Sequence, residues 1–105
     1  MVRVTLMYKN MENANFDFDY YINQHLPLAR KLLKNSGLIG IEVEKGLKML
    51  NEEKVDCICI SHLDFPDFES AQRSLEQFSE ELKADVPNYT NIDPQVQINE
   101  VLLKA

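Results

Sequence analysis

The chain has two histidines and four tyrosines. Both histidines and three of the tyrosines fall in three segments richer in functional groups than packing alone requires: FDFDYYINQHLPLARKLL (Phe16 to Leu33), HLDF (His62 to Phe65) and DVPNYTNIDPQVQINEV (Asp85 to Val101). His25 stands two residues before Pro27, which removes a backbone donor and disfavours helical geometry at Leu26, so a helix through this segment should kink or loosen there. An imidazole beside such a break can act as general acid, general base or hydrogen-bond donor, because its ordinary pKa lies near neutrality. The competing role is a core histidine satisfied by a backbone carbonyl. Tyr20 and Tyr21 come about one turn earlier, and Tyr21, at a spacing of four residues, is the helical neighbour whose phenol could share a ligand with His25. It could equally be a core residue with its hydroxyl at the rim. Asp85, Asn88, Tyr89 and Gln97 supply further donors and acceptors, although Asp85 also suits a helix end and Asn88 a turn. His62 closes an apolar run and faces the same side as Ile58 and Ile60, which also fits a sheet edge or subunit seam.

The elements that must position these groups follow from periodicity. Val2 to Lys9 alternates, with Val2, Val4, Leu6 and Tyr8 on one side. After the turn Asn10 to Asn15, Asp17 is the expected N-cap of a helix with Asp19 in its first turn. Phe18, Ile22, His25, Ala29 and Leu32 form its predicted apolar stripe, and Gly37 suits a left-handed cap. Leu38 to Leu50 reads as a second strand with Glu42 and Glu44 outward, Asn51 to Lys54 as a hairpin turn, and Val55 to Phe65 as a third strand. Pro66 and Asp67 stop that strand and cap a second helix whose stripe is Phe68, Ala71, Leu75, Phe78 and Leu82, opposite the solvated Arg73, Glu76, Glu80 and Lys83. Val86 to Asp93 is a loop, and Pro94 opens a last strand in which Val96 and Ile98 alternate with Gln95, Gln97 and Asn99.

This order is the β-α-β-β-α-β of a ferredoxin-like α+β domain, with both helices on one face of a four-stranded antiparallel sheet. Cys57, Ile58, Cys59 and Ile60 are apolar on both faces, which predicts that the other face is also covered. A two-fold homodimer stacking the bare faces is the economical solution, closing a dimeric α+β barrel.

With 105 residues and 45% apolar content, the chain fits one domain, 1–105. The formal charge of -6 opposes binding to a phosphate backbone, so nucleic acid is an unsuitable partner. No signal peptide and no membrane-crossing apolar run is visible. Cys57 and Cys59, two apart in a strand, are badly placed to bond each other and read as buried free thiols in a reducing, cytoplasmic setting. No zinc-site spacing, phosphate loop or nucleophile elbow occurs, and neither metal nor cofactor is expected.

The segments Tyr8 to Asn10, FDFDYYINQHLPLA, HLDF and DVPNYTNIDPQVQINEV together resemble the successive signatures of EthD proteins, over nearly the whole chain. The resemblance implies the dimeric α+β barrel. EthD itself is associated with a gene cluster for breaking down an alkyl ether by a haem monooxygenase, and members of the broader group isomerise lactones or act on aromatic polyketides without metal or organic cofactor. By position, His25 matches the family's helix histidine, His62 its strand histidine, and Asp85, Asn88, Tyr89 and Gln97 its C-terminal signature. Tyr8 falls in the first. Phe78 stands where similar proteins often have a histidine, and Leu47 to Lys54 lacks their Gly/Pro-rich hairpin.

Two functions are compatible with this reading. One is a cofactor-independent isomerase or lyase in which His25 moves a proton on a carbonyl-containing metabolite and Tyr21 or Tyr89 orients it. The other is a non-catalytic accessory protein of a degradation pathway that holds a small hydrophobic ligand. A purely structural dimer module would leave the clustering of His, Tyr, Asn and Gln unexplained.

Overall fold

The computed structural model describes residues 1–105 and contains the four strands and two helical segments that the periodicity predicts. Strands β1 (Val2–Lys9), β2 (Gly40–Lys45), β3 (Cys57–Phe65) and β4 (Gln95–Glu100) form one antiparallel sheet in the order β2-β3-β1-β4. The fold is ferredoxin-like α+β, with β3 and β1 at the centre and β1 paired along both edges, by β3 and β4. The inward β1 side chains Val4 and Tyr8 are wholly buried. Val4 packs with Leu33, Leu63, Phe65 and Ala71, while Tyr8 packs with Tyr21, Cys59, Tyr89 and Ile92. Burying a side chain such as Phe65 stabilises by about 1.5–3 kcal/mol.

Asp17 caps the first helix as expected, its Oδ1 accepting from the Tyr20 amide at 3.0 Å. A short α1 (Phe18–Tyr20) then widens into a π turn, Tyr21–His25, in which the Leu26 amide donates to the Tyr21 carbonyl, before α2 (Leu26–Leu33) resumes. The loosening expected from Pro27 takes this form because a proline at the start of α2 has no N–H to return to Asn23, and single π turns are a common accommodation. The wider turn also rotates the stripe. Tyr21, His25, Ala29 and Leu33 are buried, whereas Ile22 is 49% exposed and Leu32 only half-buried. A 3₁₀ turn, Lys34–Ser36, ends the segment at Gly37, whose φ of 97° is the predicted left-handed cap.

The second strand is shorter than its apolar pattern suggested. Pairing of β2 with β3 stops at Lys45 opposite Cys59, and residues 46–56 leave the sheet. Leu47, Met49 and Leu50 are exposed there, so the apolar residues beyond Lys45 mark a projecting loop instead of a strand. Gly46 begins it because any Cβ would collide with the Cys57 carbonyl oxygen. Helix α3 (Phe68–Asp85) starts on Asp67, whose Oδ1 accepts from the Ser70 amide at 2.8 Å, and ends in the 3₁₀ turn Val86–Asn88. Both cysteines are free, Cys59 buried and Cys57 half-buried. No helix is long and apolar enough to cross a membrane.

The sheet face away from the helices differs from expectation. Strand alternation places Met7 and Ile60 there, but also Arg3, Thr5, Glu42, Glu44, His62, Asp64, Gln97 and Asn99. These polar residues satisfy one another. The Arg3 Nε and Nη2 donate to the two oxygens of Asp64 at 2.7 and 3.0 Å, and Nη2 also reaches Glu42 at 2.7 Å. Cys59 points toward the helices with Ser61 and Leu63, but the register shifts opposite Tyr8 and Lys9, so that Cys57 pairs with Lys9 and Ile58 packs against the Tyr8 core, leaving Ile60 as the apolar residue of that strand on the other side.

Candidate functional site

A cavity of about 450 Å³ opens between the first helical segment, α3, the loop after it and the inner face of the sheet. Its deep end is aromatic and its walls are aliphatic, with Leu26, Leu75, Leu82, Val86, Ile92 and Val96 among the lining. The volume lies within the range of about 300–1,000 Å³ typical of small-molecule sites.

His25, 5% exposed, enters this cavity from the π turn. Its Nδ1 lies 2.9 Å from Oδ2 of Asp85, the last residue of α3. The other carboxylate oxygen accepts from the Tyr20 hydroxyl at 2.7 Å and from the Asn88 amide at 2.9 Å. Burial by itself pushes the Asp85 carboxyl up, but hydrogen bonds from Asn88, Tyr20 and His25 together outweigh it and hold the acid below its ordinary range. An ionised Asp85 accepts the proton on Nδ1 and so selects the tautomer with a bare Nε2. Nε2 has no hydrogen bond to protein, and no fully buried side-chain nitrogen or oxygen lacks a partner. The free nitrogen therefore faces the cavity.

The surrounding phenols are placed by long-range contacts. Tyr21 stacks on His25 with ring centres 5.4 Å apart, and Tyr89 approaches the imidazole at 4.6 Å. The Tyr8 and Tyr89 hydroxyls are 2.7 Å apart, and the Tyr21 hydroxyl lies 2.6 Å from Ser61 Oγ. The loop bearing Tyr89 is tied to the loop before α1: the Asp17 amide donates to the Tyr89 carbonyl at 2.7 Å, and the Thr90 hydroxyl to the Asn15 carbonyl at 2.6 Å. Burial raises the ionisation of Tyr8 and Tyr89 far above the ordinary phenol range and pushes Tyr21 up to about 12. All three stay protonated and can donate.

Of the residues singled out from sequence, Tyr8, Tyr21, His25 and Tyr89 line the cavity, and Asp85 and Asn88 stand directly behind His25. His62 and Gln97 are elsewhere. They flank Thr5 on the opposite face of the sheet, His62 bonded to Thr5 Oγ1 at 3.1 Å and to Glu44 at 3.3 Å, and Gln97 to Asn99 at 2.8 Å. Phe78 packs against the Val4, Leu33 and Phe65 core and does not line the cavity. No three His, Cys, Asp or Glu side chains converge as a metal site. Tyr20 and Ser61 complete the network but escape a sequence reading. Tyr20 precedes His25 by five residues, a spacing that an α-helix would turn to different faces, and only the π turn hints that both reach Asp85.

The EthD domain family matches residues 9–93 of the chain. A solved EthD-like protein from Ralstonia eutropha JMP134 is 28% identical, with a TM-score of 0.89 over 99% of this chain and 94% of its own. An ethyl tert-butyl ether D family protein from Bacillus halodurans C-125 is 22% identical with a TM-score of 0.69, covering 97% of this chain and 99% of its own. A dimeric ferredoxin-like protein from an uncultured marine organism shares the fold at 15% identity and a TM-score of 0.62, over 99% of this chain and 96% of its own. No curated protein matches the chain. Because the family match spans most of the sequence, including the π-turn histidine and the Asp-x-Pro-Asn-Tyr loop that meets it, the chain belongs to the EthD family.

Proposed function

We propose that this protein binds a small, largely apolar, carbonyl-containing metabolite in the cavity and transfers a proton on it through His25, as an isomerase or lyase. The observation that carries this reading is the 2.9 Å contact between His25 Nδ1 and Asp85 Oδ2, with Nε2 left open to an apolar cavity. In such a pair the carboxylate fixes the tautomer and stabilises the imidazolium that forms. Nε2 takes the proton from the carbon next to the carbonyl, and the electron pair moves onto oxygen. The protonated Tyr89 or Tyr8 hydroxyl donates to that oxyanion. His25 then returns its proton to a different carbon, giving an isomer, or to a departing oxygen, giving elimination.

The same reading includes a homodimer joined through the outer sheet face, supported by the dimeric ferredoxin-like neighbour, with His62 and Gln97 serving that seam. The free thiols Cys57 and Cys59 support a reducing, cytoplasmic location.

The test is hydrogen–deuterium exchange at the α-carbon of 2-tetralone, a compact aryl ketone, followed by proton NMR in deuterated buffer. The protein should accelerate exchange above buffer, and His25→Ala and His25→Gln should each remove the acceleration, a loss on the order of 10²-fold or more. Binding of 2-tetralone without exchange in the parent protein would instead identify a non-catalytic carrier.

A further inference from the structure

We infer that Tyr20 is a positioning residue of the His25 site, acting through Asp85. The inference rests on His25 being the proton-transfer group, and it adds a member that belongs neither to the cavity wall nor to the residues expected from sequence. Asp85 terminates α3, and the chain continues at once into a 3₁₀ turn. Left to itself, a carboxylate at such a junction has two free rotations and could turn either oxygen toward the imidazole. Three donors from three directions remove that freedom. His25 reaches Oδ2 from the π turn, while Tyr20 from α1 and Asn88 from the 3₁₀ turn both reach Oδ1, at 2.7 and 2.9 Å.

Asn88 is only three residues from Asp85 and moves with it. Tyr20 is 65 residues away in sequence and is carried by the same helical segment as His25. Tyr20 is thus the contact that registers the carboxylate against the segment holding the imidazole. Its ring is also held, lying nearly parallel to Tyr89 at 18° and 6.3 Å, so the hydroxyl is aimed by packing instead of by its own hydrogen bond alone. The titratable groups facing Asp85 are Tyr20 from α1, His25 from the π turn and Tyr89 beyond the 3₁₀ turn. Among them the Tyr20 hydroxyl is the donor that can be deleted without disturbing the cavity lining.

Tyr20→Phe keeps the stacked ring and removes one oxygen. The ligand-free protein is examined by NMR, with Asp85 followed by its side-chain carboxyl carbon and identified by its absence in Asp85→Asn. The His25 Nδ1 proton is identified by its loss in His25→Gln. In Tyr20→Phe the Asp85 midpoint should move upward, since one charge-assisted hydrogen bond to the ionised form is gone. The Nδ1 proton should exchange with water several-fold faster. Asn88→Ala should move the Asp85 midpoint in the same direction, providing an internal measure of what losing one donor does. If Tyr20→Phe leaves either quantity at its parent value while the variant is folded, Tyr20 only packs and the inference fails.

A second arm uses 2-tetralone. Tyr20→Phe should slow exchange on the order of tenfold at saturation, a part of the 10²–10⁴-fold that a positioned acid–base group supplies, with half-saturation unchanged. An unchanged maximal rate in this arm also overturns the inference. Absence of exchange in the parent protein would sink the proton-transfer reading, while the ligand-free NMR still decides whether Tyr20 holds Asp85.

Discussion

The hydroxyls of Tyr8 and Tyr89, 81 residues apart in sequence, meet at 2.7 Å where the central strand passes the loop after α3. Both groups are buried, and burial suppresses their ionisation. Together with Tyr21, pushed up to about 12, they make the protein sensitive to alkali. A group whose folded pKa is raised contributes stability that is complete below its unfolded value and is lost as pH rises toward the folded one. Stability should therefore hold up to the ordinary phenol range near 10 and fall between there and about 12. Absorbance of tyrosinate measured across this window should lag well behind that of four free tyrosines and appear abruptly on unfolding. A smooth rise in the native protein would contradict the buried arrangement.

Removing one of the pair tests its contribution. Tyr8→Phe strands a buried Tyr89 hydroxyl and should lower stability by about 1–3 kcal/mol in chemical denaturation.

Acid behaviour follows from two carboxylates. Hydrogen bonding by Arg3 lowers Asp64, and the donors around Asp85 overcome its burial to lower that acid as well. Groups shifted in this sense contribute stability that is complete above the ordinary carboxylate range and is lost as pH falls through their folded values. Arg3→Met should cost about 1–3 kcal/mol at neutral pH by leaving Asp64 unpaired, and should flatten the acid limb of the stability curve. An unchanged limb would mean that Asp64 is not held by Arg3 in solution.

The thiols should behave unequally. Burial pushes Cys59 up to about 11 and leaves it inaccessible, whereas Cys57 is half-buried at the start of β3. A thiol reagent at neutral pH should label Cys57 slowly and Cys59 only at the rate of unfolding, read by mass spectrometry of the separated peptides.

Assembly is tested on the outer sheet face. Light scattering at micromolar concentration should give twice the chain mass of 12.2 kDa, and Ile60→Arg, which places a long cationic side chain beside Met7 on the outer face, should return it to one. A parent protein that remains a monomer would remove the barrel.

Much of this was legible because the signals were local. Asp17, Asp67 and Gly37 announce their caps, and alternation alone puts Tyr8 inside and Thr5 outside. Errors arose where a residue's meaning depends on a partner far away. Leu47 and Leu50 look like a strand until their lack of pairing is seen, and the polar outer face is hidden because Arg3 gives no sign in sequence that Asp64 will neutralise it. The site divides in the same way. His25 and Tyr21 could be paired by helical spacing, but the companionship of Tyr20, Asp85 and Asn88 exists only once α3 ends beside the π turn. Conversely, sequence grouped His62 and Gln97 with the cavity residues, but the sheet puts them on its other side.

The position of β1 between β3 and β4 also bears on how the chain is made. Strand β1 leaves the ribosome before either of its partners, and β2, the strand nearest to it in sequence, is not its neighbour in the sheet. Its apolar side must wait, unpaired, while some fifty residues separating it from β3 are synthesised, and Tyr8 waits longer still for Tyr89. Such non-local pairing slows folding and prolongs exposure of a sticky strand. Arg3, Thr5 and Lys9, interleaved along that strand, keep it charged and hydrated during the delay, so the polarity of the outer face protects the nascent chain as well as shaping the finished sheet.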